Sequence, residues 1–338
     1  MTVTVRSFAK INLGLYIGAV RADGFHELRT VYQTIALRDV IRVSVVLGLG
    51  SGIEILCTNK DPRVPLDSSN TCYRIAERML DALGAKGKVI IEIEKRLPVQ
   101  GGMGAASSNG VATMIALELA LKKAHALKKK LLEPERLRIA AEVGSDLPLF
   151  LVGGTALGVG RGEEVYPLPD LPPIPMVVVT PEVGVSTPQA FADWDALAKN
   201  GRQLTRPQSS DRLFEVGCAL SAWLSGRSNS GSPNTGASAK GGSRAEKLLL
   251  DLVRTGIEND FEKVVFPKYP ELRDIKGALE RAGSSYASLS GSGSTLYGLF
   301  RSSADAAKAA GRLRKQGLTA MATSTLTRQQ YWKRIFES

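Results

Sequence analysis

An α+β protein is predicted by three observations. Strand-like and helix-like stretches alternate along the chain, a strand, glycine turn and helix follow one another near residue 100, and five prolines between Pro167 and Pro175 separate two such halves. Residues 1–20 and 31–57 are rich in Val, Ile and Leu and read as strands, with a turn at Asp23-Gly24. The run from Asp67 to Asn70 supplies N-cap chemistry for a helix through Arg78 to about Leu83, where Gly84 stops it. Val89 to Glu94 alternates apolar and polar residues like a half-buried strand. After the glycine turn, Val111, Met114, Ile115, Leu117, Leu119 and Leu121 mark a helix. Pro134 opens the next helix, which ends at Gly144, and Gly153, Gly154, Gly158 and Gly160 punctuate a strand region. Met176 to Thr180 reads as a buried strand, and another is expected at Ser294 to Phe300 among helices, before a basic tail. The prolines divide the chain into domains at 1–165 and 166–338. Residues 225–244 hold almost nothing that can be buried and are expected to be a disordered surface insertion.

Composition excludes several classes. At 338 residues, 43% hydrophobic and 23% charged, the chain is long and apolar enough for a sizeable core. No run approaches the length of a membrane span, and the N-terminus lacks a signal-peptide pattern. Cys57, Cys72 and Cys218 are odd in number and lack metal-ligand spacing, so reduced thiols in the cytoplasm are expected. The net charge of +11 invites a nucleic-acid partner, but the basic residues are dispersed. The densest cluster, Lys122-Lys123 with Lys128 to Lys130, has no aromatic residue for base stacking and reads as a solvated helix end. An anionic small-molecule substrate accounts for the charge equally well, with no specific nucleic acid and no membrane.

The glycine turn carries the chemistry. It runs Pro98, Val99, Gln100, Gly101, Gly102, Met103, Gly104, Ala105, Ala106, Ser107 and Ser108. A strand, a glycine loop and a helix in that order aim several backbone N–H groups, and the positive end of the helix dipole, at one spot suited to phosphate. Ser107 and Ser108 either cap the helix or donate hydroxyls to the anion. The loop lacks the Lys-Ser/Thr ending of P-loop NTPases and has no Rossmann spacing. It resembles the phosphate loop Pro-x-x-x-Gly-Leu-Gly-Ser-Ser of the GHMP kinases, with Met103 in place of Leu and Ala105-Ala106 before the serines.

Further blocks follow in family order. They are Ser7 to Tyr16 with Lys10 and Asn12, Arg21 to Thr30 with Asp23-Gly24-Phe25-His26, Gly144 to Phe150 with Asp146, Asn259 to Glu262, and Ser290 to Thr295. The 21–30 segment is similar to the GHMP kinases that act on a cytidine diphosphate-linked sugar alcohol. That resemblance implies an N-terminal ribosomal-protein-S5-like domain, a C-terminal ferredoxin-like domain and an active site between them. It also implies ATP-dependent phosphorylation of the 2-hydroxyl of 4-diphosphocytidyl-2-C-methyl-D-erythritol in the non-mevalonate route to isoprenoid and terpenoid precursors. Mg²⁺ is implied with ATP, with ligands unknown, and the enzyme would be a monomer or a homodimer. Alternatives are another GHMP small-molecule kinase, such as one for homoserine or mevalonate, or a catalytically silent relative that binds ligand.

Residue by residue, two readings stand together. Asp146 precedes an apolar run and is either the N-cap of a short helix or a costly carboxylate with a purpose. Lys10 breaks an apolar strand and is either solvent-facing or a buried ammonium needing an anionic partner. The resemblance makes Lys10 and Asp146 the catalytic pair and places Asn12 at the substrate. It also makes Phe25 a ring stacked on the base, where most relatives carry Tyr, with His26 on the base edge, Phe191 as a second ring and Tyr32 as a pocket wall. On residues alone His26 is a turn residue and Phe191 core. Asn70 and Lys95 stand where relatives touch the adenine end of ATP, but alone they read as a helix cap and a solvated strand-end lysine. The Ser290 to Thr295 loop resembles the superfamily's third motif, which packs on the phosphate loop, with Ser294 where Pro is usual.

Overall fold

The computed structural model describes residues 2–48, 50–99, 101–127, 129–199 and 257–336. The 225–244 segment and Cys218 lie outside the described residues.

The first half is a six-stranded sheet built on one long hairpin. Strands β1 (Thr2–Val20) and β2 (His26–Val46) pair antiparallel along most of their length, joined at the Asp23-Gly24 turn. The far part of β2 pairs with β4 (Lys88–Glu94), whose other side takes β3 (Gly52–Cys57) in parallel. The near part of β2 pairs with β5 (Thr155–Val159) and then β6 (Glu164–Pro167), so the order is β3-β4-β2-β5-β6 with β1 on β2. Helices α1 (Thr71–Leu83), α2 (Ala105–Lys123), α3 (Glu133–Val143) and α4 (Leu147–Val152) complete this half. Asn70 caps α1 by accepting from the Cys72 N–H at 2.9 Å, and Gly84 ends it in the left-handed conformation with φ 60°. Helix α2 starts at Gly104, with no side-chain cap, so Ser107 and Ser108 fall inside its first turn. Cys72 is buried in the first turn of α1, and burial pushes its thiol up to about 12.

The second half is a four-stranded antiparallel sheet, β10-β7-β9-β8, made of β7 (Pro175–Val179), β8 (Tyr286–Leu289), β9 (Leu296–Leu299) and β10 (Ala320–Ser324). Helices α5 (Thr187–Lys199), α6 (Glu262–Lys268), α7 (Pro270–Arg281) and α8 (Ser303–Lys315) belong to it. The proline-rich stretch stands between β6 and β7. Helix α9 (Arg328–Arg334) returns to the first half, where Tyr331 donates to the Phe150 carbonyl at 2.7 Å and Trp332 to that of Val152 at 3.2 Å.

Strand β1 is buried on both faces, and the two faces do different work. Ala9, Ile11 and Leu13 point into a seam with Met103, Met176, Val178, Tyr297 and Leu299, which joins the two sheets. Lys10 and Asn12, one residue out of step, point the other way. Bulges fall between Phe8 and Lys10 and between Asn12 and Gly14, so the ladder is broken on either side of these two polar residues. Bulges of this kind re-aim side chains. No helix among the described residues is long and apolar enough to cross a membrane.

Candidate active site

Two cavities meet over the glycine loop. One, of about 360 Å³, runs from Val64, Pro65 and Asn70 past Ile93 and Lys95 to the loop. The other, of about 390 Å³, runs from the loop past Lys10, Asn12 and Asp146 to Phe25, His26 and Phe191. Gly102, Gly104 and Ser107 line both, so the loop is their shared floor.

Pro98, Val99, Gly101, Ala105 and Ala106 also line the first cavity; Gln100 lies outside the described residues. Met103 is buried in the seam between the sheets and holds the loop down. The two serines differ. Ser107 faces both cavities, whereas Ser108 is buried, donates to the Phe8 carbonyl at 2.6 Å and lies 2.7 Å from the Ser7 hydroxyl. The Ser290–Thr295 loop packs directly on the phosphate loop. Thr295 N–H donates to Gly101 O at 3.1 Å, and the Ser290 hydroxyl to Gly102 O at 3.0 Å. Gly102 has φ +80°, and a Cβ on Gly293 would come within 2.6 Å of its Cα, so glycine is required on both sides of this contact. Asn259 holds the second loop through the Leu289 and Gly291 carbonyls at 2.9 and 2.8 Å.

Where the cavities join, Lys10 Nζ lies 3.1 Å from Asp146 Oδ2. The Lys10 side chain is 5% exposed and that of Asp146 31%, so the ammonium is sheltered and the carboxylate is open to the cleft. Asp146 precedes α4 but makes no capping hydrogen bond; its other oxygen accepts from the Tyr32 hydroxyl at 3.0 Å. Tyr32 is therefore more than a wall. It is opposite Asn12 in the β1–β2 register and so shares its face, and burial, then the Asp146 charge, raises its hydroxyl well above the usual range. Lys10 also donates to Asn12 Oδ1 at 2.7 Å, Asn12 to Thr30 Oγ1 at 2.7 Å, and Thr30 to Gly14 O at 2.8 Å. This chain fixes the Asn12 amide and leaves its second N–H for a ligand. A sheltered cation, an open carboxylate and an oriented amide can accept a proton from a hydroxyl and hold the charge that develops on its oxygen.

The far end of the second cavity is built from side chains. Phe25 sits at the hairpin tip, 53% exposed, with the Arg161 guanidinium 5.0 Å from its ring centroid. The His26 ring stacks on Phe191 at 5.3 Å and 10°, with Nδ1 3.1 Å from Gly18 O and Nε2 3.0 Å from Asp195 Oδ1. Phe191 in turn meets Phe261 edge-on at 5.0 Å. The structure thus gathers Phe25, His26 and Phe191 at one end, with the ring edge of His26 engaged by protein groups. Asn70 and Lys95 line the first cavity, but both are also tied internally, Asn70 to Pro65 O at 2.6 Å and Lys95 to Asp39 at 2.7 Å.

The fold and the joined cavities define a small-molecule kinase of the GHMP class. The family model for the GHMP kinases N terminal domain matches residues 70–154, and the one for GHMP kinases C terminal matches residues 244–318. A 4-diphosphocytidyl-2-C-methyl-D-erythritol kinase of Solibacter usitatus is 36% identical over 88% of this chain and 81% of its own, and one of Streptomyces coelicolor 33% identical over 94% of each. The crystal structure of a 4-(cytidine 5'-diphospho)-2C-methyl-D-erythritol kinase superposes with a TM-score of 0.66 at 30% identity, covering 95% of this chain and 98% of that one. A homoserine kinase from Cytophaga hutchinsonii reaches 0.70 at 20% identity over 98% and 96%, a likeness of fold alone. This chain belongs to the 4-diphosphocytidyl-2-C-methyl-D-erythritol kinase family, and as a GHMP kinase it takes its phosphoryl group from ATP.

Sequence reasoning did not find Asp39, Thr30, Arg161 or Asp195. Asp39 falls inside the predicted 31–57 strand region, Thr30 only closes the 21–30 block, and Arg161 and Asp195 lie in no motif. Their partners stand far away in sequence, so local pattern carries no signal for them.

Proposed function

We propose that this enzyme transfers the γ-phosphoryl group of ATP to the 2-hydroxyl of 4-diphosphocytidyl-2-C-methyl-D-erythritol, in the cytoplasm. The observation that carries the reading is the Lys10–Asp146 pair at the junction of two cavities that share the phosphate loop. ATP fits the cavity walled by Val64, Pro65 and Ile93, with its triphosphate over Gly102 to Ser107 at the start of α2. The cytidine end of the acceptor fits against Phe25, His26 and Phe191, and its erythritol end reaches Asn12 and Asp146.

The acceptor hydroxyl gives its proton to Asp146 as its oxygen bonds to the γ-phosphorus, and the β–γ bridging oxygen leaves with ADP. Tyr32, held in its protonated form, donates to one Asp146 oxygen and keeps the other turned to Lys10 and the hydroxyl. Lys10 stabilises the attacking oxygen. Mg²⁺ enters as part of the metal–nucleotide substrate. Among the described residues no three His, Cys, Asp or Glu side chains converge as a metal site, which suits an ion held mainly by phosphate oxygens and water; Ser107 is the hydroxyl facing both cavities.

The test is ADP release in a coupled assay, with the cytidine compound, mevalonate and homoserine as acceptors. Turnover with the cytidine compound alone is expected. Comparable turnover with either of the others overturns the acceptor assignment.

A further inference from the structure

The geometry points to Asp39 as a positioning residue for the nucleotide, a buried carboxylate that ties down both ends of the phosphate loop. The inference rests on reading the 360 Å³ cavity as the nucleotide site.

Asp39 is fully buried, opposite Ser7 in the β1–β2 register. Four donors converge on its carboxylate. Oδ1 accepts from the backbone N–H groups of Arg96 at 2.6 Å and Leu97 at 2.7 Å. Oδ2 accepts from Lys95 Nζ at 2.7 Å and Asn109 Nδ2 at 3.0 Å. Leu97 immediately precedes Pro98, where the loop begins, and Asn109 immediately follows Ser108, where it ends. A single group therefore fixes entry and exit. Strand β4 stops at Glu94, and Pro98 has no N–H, so the carboxylate supplies the acceptor that the ladder no longer provides to this segment. The Ser7 hydroxyl, 2.6 Å from Asn109 Oδ1, secures the same amide from β1.

A carboxylate at this depth is costly without compensation, and here the compensation comes from one cation and three neutral donors. Lys95 is consumed in the process. Its ammonium is turned to Asp39 and only 7% of its side chain is exposed, so its charge is already paired where Lys95 lines the cavity. Loss of the carboxylate frees the loop ends and blurs the array of N–H groups over which the phosphates lie. The acceptor cavity shares Gly102, Gly104 and Ser107 with the loop, but Phe25, His26 and Phe191 at its far end stand on the hairpin and on α5 and make no bond to Asp39.

Three variants test this by steady-state kinetics with each substrate varied in turn, together with ATP titration calorimetry. Asp39→Asn keeps an acceptor for the backbone N–H groups but turns an NH₂ toward Lys95 and Asn109. It is expected to raise the ATP KM and Kd by about tenfold while leaving the KM of the cytidine compound within about twofold. Asn109→Ala cuts only the exit tie and is expected to raise the ATP KM by about threefold; should Asp39→Asn fail to fold, this variant alone decides. A lowered melting temperature with both KM values unchanged, or raised alike, overturns the proposal and makes Asp39 purely structural. Ala106→Phe, which fills the cavity beside the loop, separates the two levels. If it raises the ATP KM while the other variants do not, the nucleotide reading stands and the Asp39 tie falls. If it leaves the ATP KM unchanged, the nucleotide reading fails and the proposal falls with it.

Discussion

The two ends of the cleft are made of different material. At the phosphate loop the walls are backbone, clamped between the seam residue Met103 below, the Ser290–Thr295 loop beside it and buried hydrogen bonds behind. At the end proposed for the cytidine the walls are side chains on a hairpin tip and on α5, one ring more than half exposed and the others held by stacking on one another. Backbone geometry permits little adjustment, so the loop is preorganised for a group common to every ATP-dependent relative. Side chains can be exchanged singly, so the far end is where, under the proposed reading, a shared fold sets its choice of acceptor. The Lys10–Asp146 pair sits between them, with Lys10 on a strand whose opposite face is locked into the seam and Asp146 at the start of α4.

That contrast can be broken most severely in the middle. Asp146→Asn removes the proposed base but keeps the shape, and turnover is expected to fall by about 10³-fold or more while ATP still binds with near-parental affinity. Near-normal turnover would remove Asp146 from the chemistry. Gly293→Ala probes the clamped end, because its Cβ would press on the Gly102 backbone at 2.5–2.6 Å. Overpacking at such a contact costs about 1–3 kcal/mol, so the ATP KM is expected to rise by about tenfold or more, measured with the acceptor saturating. An unchanged ATP KM would mean that this contact does not set the loop.

Phe25→Ala probes the adjustable end. Base–aromatic stacking is worth about 1–3 kcal/mol, so the KM for the cytidine compound is expected to rise by about tenfold with that for ATP unmoved. Equal rises in both would make the 21–26 turn scaffolding. The smallest effect lies in alkaline stability. Burial holds the Tyr32 and Tyr297 hydroxyls well above their ordinary value of 10.0. Above pH 10 the folded chain therefore keeps protons that the unfolded chain has released. Their stabilising contribution is whole below that pH and falls as pH rises, by roughly 1 kcal/mol per pH unit for each tyrosine. Urea midpoints at pH 9 and pH 11 measure it, and Tyr32→Phe should flatten the decline. A slope unchanged in that variant would mean that Tyr32 does not titrate differently in the folded state.

What could be read from the sequence follows the range of the interactions concerned. Asn70 and Gly84 are legible as the ends of α1 because a cap is made by neighbours, and Lys10 is conspicuous because an ammonium interrupts an apolar strand. The glycine loop is legible through its backbone requirements. The beginning of α2 is less so. Two serines at 107 and 108 suggest a cap, yet the helix begins at Gly104, and Ser108 spends its hydroxyl on the Phe8 carbonyl. Tyr32 and Asp146 are 114 residues apart, and Asp39 and Asn109 are 70. Such pairs depend on strand register and on the packing of α2, neither of which is written in any short window.

The return of α9 to the first half carries a consequence for how the chain comes to be folded. Tyr331 lies against Phe8 with ring centroids 5.7 Å apart, and the Ile335 carbonyl accepts from the Arg6 N–H at 2.7 Å, so the first strand is finished by the last helix. On the ribosome, β1 leaves the exit tunnel early, but its outer flank stays unsealed until Tyr331 and Ile335 have been made. Domains ordinarily fold in order of synthesis. Here the first strand of the earlier half gains its last partners only once the later half has been made.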